Sequence, residues 1–174
     1  MWLNKIVDQI VVVRLGLILA IITILYGFLL GGFFGLAEDG IKGFLKEKAD
    51  NAPAAVYENQ EAKDKVVSSA WKYIQRSHIH ANGIGTTAVV LILVLSVIPG
   101  RFQGKSILAI FLGLGGFLYA LYWLAAGIQA PSLGGTHAAK DQLEWLGISG
   151  GGFSILGVLG TLVSSFKFLF LTKH

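Results

Sequence analysis

The sequence predicts an all-α integral membrane protein: four transmembrane helices, with amphipathic extracytoplasmic helices in the first loop. Three observations carry this. Hydrophobic residues make up 54% of the 174 residues and charged residues only 14%, whereas an ordinary soluble domain carries about 25% charged residues. Four apolar stretches reach the length of about 18 residues or more that reads as a membrane span. Only helices and closed barrels satisfy their backbone groups in lipid, and these runs are too long and uniform for barrel strands.

The same composition excludes other classes. Mean hydropathy is +0.68, which is incompatible with a disordered chain. There is no cysteine, so disulfide scaffolds, thiolate metal sites, iron–sulfur clusters and covalently attached c-type haem are excluded. The formal charge of +4 fits basic anchors at the cytoplasmic ends of spans and does not point to nucleic acid.

The first span covers residues 10–36 and is broken only by Arg14. Its apolar run is too long for a signal-peptide core and no A-x-A site follows, so it reads as a retained helix. Arg14 is a few residues from the expected cytoplasmic edge and should snorkel to it.

The first loop, residues 37–77, carries seven basic and seven acidic residues. Glu38 and Asp39 open a helical segment at its positive N-terminal end. Ile41, Phe44 and Leu45 share one face, the pattern of a short helix lying in the membrane interface. Asn51-Ala52-Pro53 ends it. A second helix is expected to start near Pro53 and run straight into the second span, residues 81–98. In that helix Val67, Trp71, Ile74 and His78 recur at helical spacing.

Pro99-Gly100 closes the second span, and the short second loop holds Arg101 and Lys105 with no acid. The third span covers residues 107–128, where Tyr122 and Trp123 read as interface anchors. Pro131, Gly134 and Gly135 then form a turn, with Thr136 as the expected N-cap. A helix from His137 is expected to continue into the fourth span, residues 147–166, with Trp145 as a further anchor. Lys167 and Lys173 follow. The distribution of Lys and Arg places both termini in the cytoplasm of a bacterial-type inner membrane. Residues 1–174 thus form one four-helix domain in the bilayer.

Small residues repeat along the spans at Gly27, Gly31 and Gly35, at Gly116 and Ala120, and at Gly150 and Ser154. They predict close helix packing. A glycine face left over would dock a partner subunit or a second copy of the chain.

Three of the four histidines fall at the outer membrane edge: His78, His80 and His137. His174 ends the chain. Histidine is the commonest metal ligand and the axial ligand of many haems. His78 and His80 are two residues apart and so point about 200° apart around a helix; regular helix cannot aim both at one ion. His80 shares a face with Arg76, Gly83 and Thr87, where small residues leave room for a porphyrin and Arg76 suits a propionate. His78 continues the apolar face of Trp71 and Ile74, beside Asn82. Both are equally readable as interfacial hydrogen-bonding residues. His137, Asp141 and Glu144 lie at i, i+4 and i+7 and could hold a divalent metal ion, or could be the solvated start of a helix.

No G-x-S-x-G, H-E-x-x-H or P-loop signature occurs. The spans hold no acidic residue in their central parts, which speaks against a proton-coupled transporter and a charged-ring filter. No catalytic residue is assigned, and the chain is not expected to be an enzyme on its own.

The run Arg76-Ser-His-Ile-His80-Ala-Asn82-Gly-Ile-Gly85 resembles the start of the haem-bearing second helix in subunit I of haem–copper oxidases and nitric oxide reductases, and the H-x-H opening of related small haem membrane proteins. In subunit I an Arg precedes a His-x-Asn step whose His ligates haem b. The resemblance implies haem b at His80, with His137 or His78 as second axial ligand. It covers residues 76–85 only; the family's copper-ligating histidines have no counterpart here, so a dioxygen-reducing centre is not implied. Two functions are expected: a histidine cluster holding haem b or a metal ion for electron transfer in a membrane redox complex, or a non-catalytic accessory subunit of a larger membrane assembly.

Overall fold

The computed structural model describes residues 2–98 and 103–171. Pro99, Gly100, Arg101, Lys173 and His174 lie outside the described residues, as does the side chain of Lys5. Five α-helices form: α1 Trp2–Asp50, α2 Gln60–Val97, α3 Gln103–Gln129, α4 Thr136–Gln142 and α5 Glu144–Phe166. A 3-10 turn, Ala54–Val56, sits between α1 and α2, and a π-helical turn, Lys167–Leu171, follows α5. Among the described residues there is no strand. Four helices are long and apolar enough to cross a membrane.

The first loop differs from expectation. The first span and the helix after it are one element, α1, bent at Ala37 (φ −137°, ψ 25°). The segment beyond the bend packs on α2: Leu45 and Ala49 are buried, and Leu45 joins a cluster with Ala70, Ile74 and Ala126. Helix α2 starts at Gln60, not near Pro53, because the Asn59 side chain accepts the Ala62 N–H at 2.9 Å and caps it there. Lys63 clips the two arms together through Asp50 at 3.0 Å. With 49 and 38 residues, α1 and α2 are about 70 Å and 57 Å long, well beyond the roughly 30 Å of a hydrocarbon core. Their joined ends therefore form a hairpin that projects from the spans.

The hairpin tip is anchored. The Tyr57 hydroxyl donates to the Pro131 carbonyl in the α3–α4 turn. Gly134 in that turn has φ +73°, and a Cβ there would run into Val56; only glycine combines that backbone with that contact.

The fourth span also differs. The chain leaves helical geometry at Leu143 (φ −109°, ψ 11°), so α4 and α5 are separate elements. Gly135, not Thr136, is the N-cap of α4, and no side chain caps it.

Helix α3 is central. On one side it meets α1 and α2. A Cβ on Gly113 would lie 2.4 Å from the Gly16 carbonyl oxygen, and one on Gly127 would lie 2.9 Å from the Ala70 oxygen. On the other side it meets α5, where a Cβ on Gly150 would lie 2.5 Å from the Tyr119 backbone nitrogen. Contacts this close are how helices associate in lipid, where apolar surface alone gives no drive between them. Hydrogen bonds add to them. The Tyr26 hydroxyl donates to Ser77 Oγ at 2.7 Å, and Ser77 Oγ donates to the Ala120 carbonyl at 2.7 Å, linking α1, α2 and α3. At the opposite end Lys105 is fully buried. Its ammonium donates to Gln9 Oε1 at 2.9 Å and to the Ile98 carbonyl at the end of α2, where a cation complements the helix dipole.

Helix α5 is peripheral: 11% of its most apolar stretch is buried, against 33% in α2 and α3. Ile148, Ile155, Leu159 and Leu162 are exposed, as are Leu15, Ile18, Ile21 and Leu25 of α1. An apolar surface this extensive is a liability in water and is consistent with an integral membrane protein.

Two predictions follow from these contacts. Gly113→Leu forces side chain into backbone and should lower stability by on the order of 3 kcal/mol. Gly32→Leu enters space with no atom within 4 Å and should be nearly neutral; thermal midpoints of the two variants in detergent compare them. Burial, with the Asp50 charge as a lesser cause, pushes the Tyr57 phenol above its ordinary value of 10.0. The fold thus favours the neutral phenol, so this contribution is fully present below pH 10.0 and is lost as pH rises through the raised value. Protease sensitivity of the 51–59 loop should rise over that window more steeply in the wild type than in Tyr57→Phe.

Candidate functional site

The half of α2 nearer the hairpin presents two different faces. One meets α1. There the His78 ring sits where a Cβ on Gly31 would be, 2.4 Å from its Cε1. His78 Nδ1 lies 2.7 Å from the Gly27 carbonyl, which makes it the protonated, donating nitrogen. Asn82 Nδ2 donates to the His78 carbonyl at 3.1 Å. Phe34 packs edge-on against both His78, at 5.8 Å, and Trp71, at 5.1 Å. The stripe of Gly27 and Gly31 is thus filled by Asn82 and His78, while Gly35 faces open space.

The other face of α2 meets α3 beside α5. His80 Nδ1 donates to the Arg76 carbonyl one turn back at 2.8 Å, so Nε2 is the ring nitrogen not used in that bond. The ring rests on Tyr119 at 5.2 Å and Trp123 at 5.6 Å. The Arg76 guanidinium lies over two rings, 5.1 Å from Tyr73 and 5.0 Å from Trp123. Such cation–π contacts are worth about 0.5–1 kcal/mol at exposed sites and anchor the group beside the two rings. No carboxylate lies within 4 Å of Arg76 among the described residues. Trp123 Nε1 and Ser154 Oγ are both shielded from solvent and have no hydrogen-bond partner among the described residues.

Below this cluster runs a groove of about 350 Å³. Gly83, Ile84 and Thr87 of α2 form one wall, and Ser154, Val158 and Leu159 of α5 form the other. It exists because α5 packs on α3, with Ser154 against Gly115 and Gly157 against Leu112, and leaves α2 uncovered. A second cavity, of about 360 Å³, opens at the Ala37 bend between Phe33, Ile41, Phe44 and Leu124 and is wholly apolar.

The structure therefore brings Arg76 and His80 together and places His78 and Asn82 on the opposite side of α2. His137 is exposed on α4. The break at Leu143 puts His137 and Asp141 on α4 and Glu144 on α5, so the single helix face expected for these three does not form. No group of three His, Cys, Asp or Glu residues placed to hold a metal ion occurs among the described residues. The aromatic floor under His80 went unread in the sequence as part of a site. Its signal was there: Tyr119, Tyr122 and Trp123 at i, i+3 and i+4 share one face of α3.

Comparison with family models, with curated proteins and with solved structures gives no match.

The two histidines should respond differently to truncation. His78→Ala removes a buried hydrogen bond to Gly27 and leaves a gap at Gly31, and should cost roughly 1–3 kcal/mol. His80→Ala should cost less than half of that, because its bond is local to α2. Chemical unfolding in mixed micelles measures both.

Proposed function

We propose that this chain is a non-catalytic subunit of a larger membrane assembly, and that the Arg76–His80 face holds a membrane-borne ligand. It lies in a bacterial-type inner membrane with both termini cytoplasmic and the α1–α2 hairpin outside. The observation that carries this is Arg76, a cation with no carboxylate within 4 Å among the described residues, beside a histidine with one nitrogen engaged, at the head of an apolar groove. Buried polar groups with nothing to bind are rare in a finished fold, and two lie here.

In the redox form of this reading the ligand is haem b. The residues on this face fit one axial ligand and one propionate partner. His80 would be the ligand, since its Nδ1 donates to a backbone carbonyl, the contact that commonly orients a metal-bound imidazole. Arg76 would meet a propionate, and Gly83 and Thr87 leave the face open below. Haem supplies one-electron transfer when bound; the chain would only hold it and set its surroundings.

The cofactor-free form, an accessory subunit, is favoured by a separate observation. His78 is engaged on the α1 side and His137 is exposed on α4, so neither joins His80 on one gap.

A visible spectrum of the purified protein, oxidised and then reduced, separates the two. Sharp reduced α and Soret bands that disappear in His80→Ala and persist in His78→Ala would support the redox form. A featureless spectrum with no metal would leave the accessory form, and unchanged assembly with partner proteins in Arg76→Gln and His80→Ala would remove the whole reading.

A further inference from the structure

We infer that the ligand of the Arg76–His80 face is an anionic phospholipid, its phosphate at Arg76 and one acyl chain along the α2–α5 groove. This names the ligand of the face proposed above and rests on the reading that the face is a ligand seat.

The argument starts from depth. The apolar part of α2 begins at Ala81, so Arg76 lies about 7–8 Å further out along the helix. That is headgroup level. Tyr73, Tyr122, Trp123 and Trp145 gather at the same end, as aromatic side chains do at a membrane interface. A guanidinium there meets lipid phosphate at high local concentration.

Charge and geometry then select the headgroup. Arg76 caps the perpendicular Tyr73–Trp123 ring pair, 5.1 Å and 5.0 Å from the two centroids, so the rings anchor the guanidinium while its donors stay available. A planar fork of donors matches a phosphate with two parallel charge-assisted bonds. The chain offers no competing carboxylate within 4 Å among the described residues. Trp123 Nε1 is a further donor at this site without a partner.

The groove continues from that point along the helix axis. Arg76, His80, Gly83 and Thr87 lie at i, i+4, i+7 and i+11, one face of α2. Gly83 and Thr87 line the groove, with Ile155 and Leu159 opposite. A Cβ on Gly83 would meet nothing within 4 Å, so the track is open at the turn below the headgroup. Its apolar walls match an acyl chain. At the apolar cavity by the Ala37 bend the cation is Lys48, its ammonium 5.4 Å from the Phe44 ring that lines the cavity; it offers a point charge and not the planar fork of donors that Arg76 presents.

The test is native mass spectrometry of the full chain after exchange into micelles doped with phosphatidylglycerol or phosphatidylcholine. One phosphatidylglycerol should remain bound, in preference to phosphatidylcholine. Arg76→Gln should lower its retention roughly tenfold, the scale of one lost charge-assisted pair, and Arg76→Lys, which keeps the charge but not the planar fork, should restore only part of it. Gly83→Leu fills open space without a clash and should lower retention of both lipids. Equal retention by wild type, Arg76→Gln and Gly83→Leu would overturn the inference, as would protection by inorganic phosphate alone equal to that by the lipid. A haem spectrum lost in His80→Ala would also overturn it while leaving the ligand seat standing. No bound species of either kind would remove both.

Discussion

The architecture depends on how closely other helices approach α3. On its α1- and α2-facing side, Gly113, Ala120 and Gly127 let two backbones come within van der Waals distance. On its other side Gly115 and the facing Gly150 and Gly157 do the same for α5. In lipid there is no hydrophobic drive between apolar helices, so packing at backbone distance and hydrogen bonds must hold the bundle. Because α5 spends its small residues on α3, it cannot also cover α2. The open groove beside His80 is a direct consequence of that pairing.

Polar groups inside the spans are handled locally. Thr23, Thr87, Thr161 and Ser164 each donate back to the carbonyl four residues earlier, a satisfaction that needs no partner helix. Cross-helix bonds among the described residues sit at levels: Tyr26 through Ser77 to Ala120 and His78 to Gly27 in the half nearer the hairpin, a long Thr23 to Gly113 contact, and Lys105 to Gln9 and Ile98 at the other end. Three shielded polar atoms depart from this pattern among the described residues, having no hydrogen-bond partner: Asn82 Oδ1 on the α1 side of α2, Trp123 Nε1 beside Arg76, and Ser154 Oγ on the groove wall.

The two central histidines illustrate how a helix divides similar residues between scaffold and site. Both lie in one short run and both donate through Nδ1. The carbonyl that His78 binds belongs to α1, so it cements two helices. The carbonyl that His80 binds belongs to its own helix, so its ring is positioned without being used up.

Much of the fold was legible in the sequence, because lipid imposes a length and polarity requirement that any reading of residues can check. Four spans, the separation of His78 from His80, and the common face of Arg76, His80, Gly83 and Thr87 follow from helical geometry alone. The turn at Pro131 and Gly134 follows from backbone chemistry. What the sequence did not determine is which helix each face meets. The merging of the first loop helix into α1, the start of α2 at Asn59, the break at Leu143 that parts His137 from Glu144, and the placing of Tyr119 and Trp123 beneath His80 were decided by tertiary structure. These depend on contacts between residues far apart in the chain, whose strength lies in close packing that periodicity and composition do not encode.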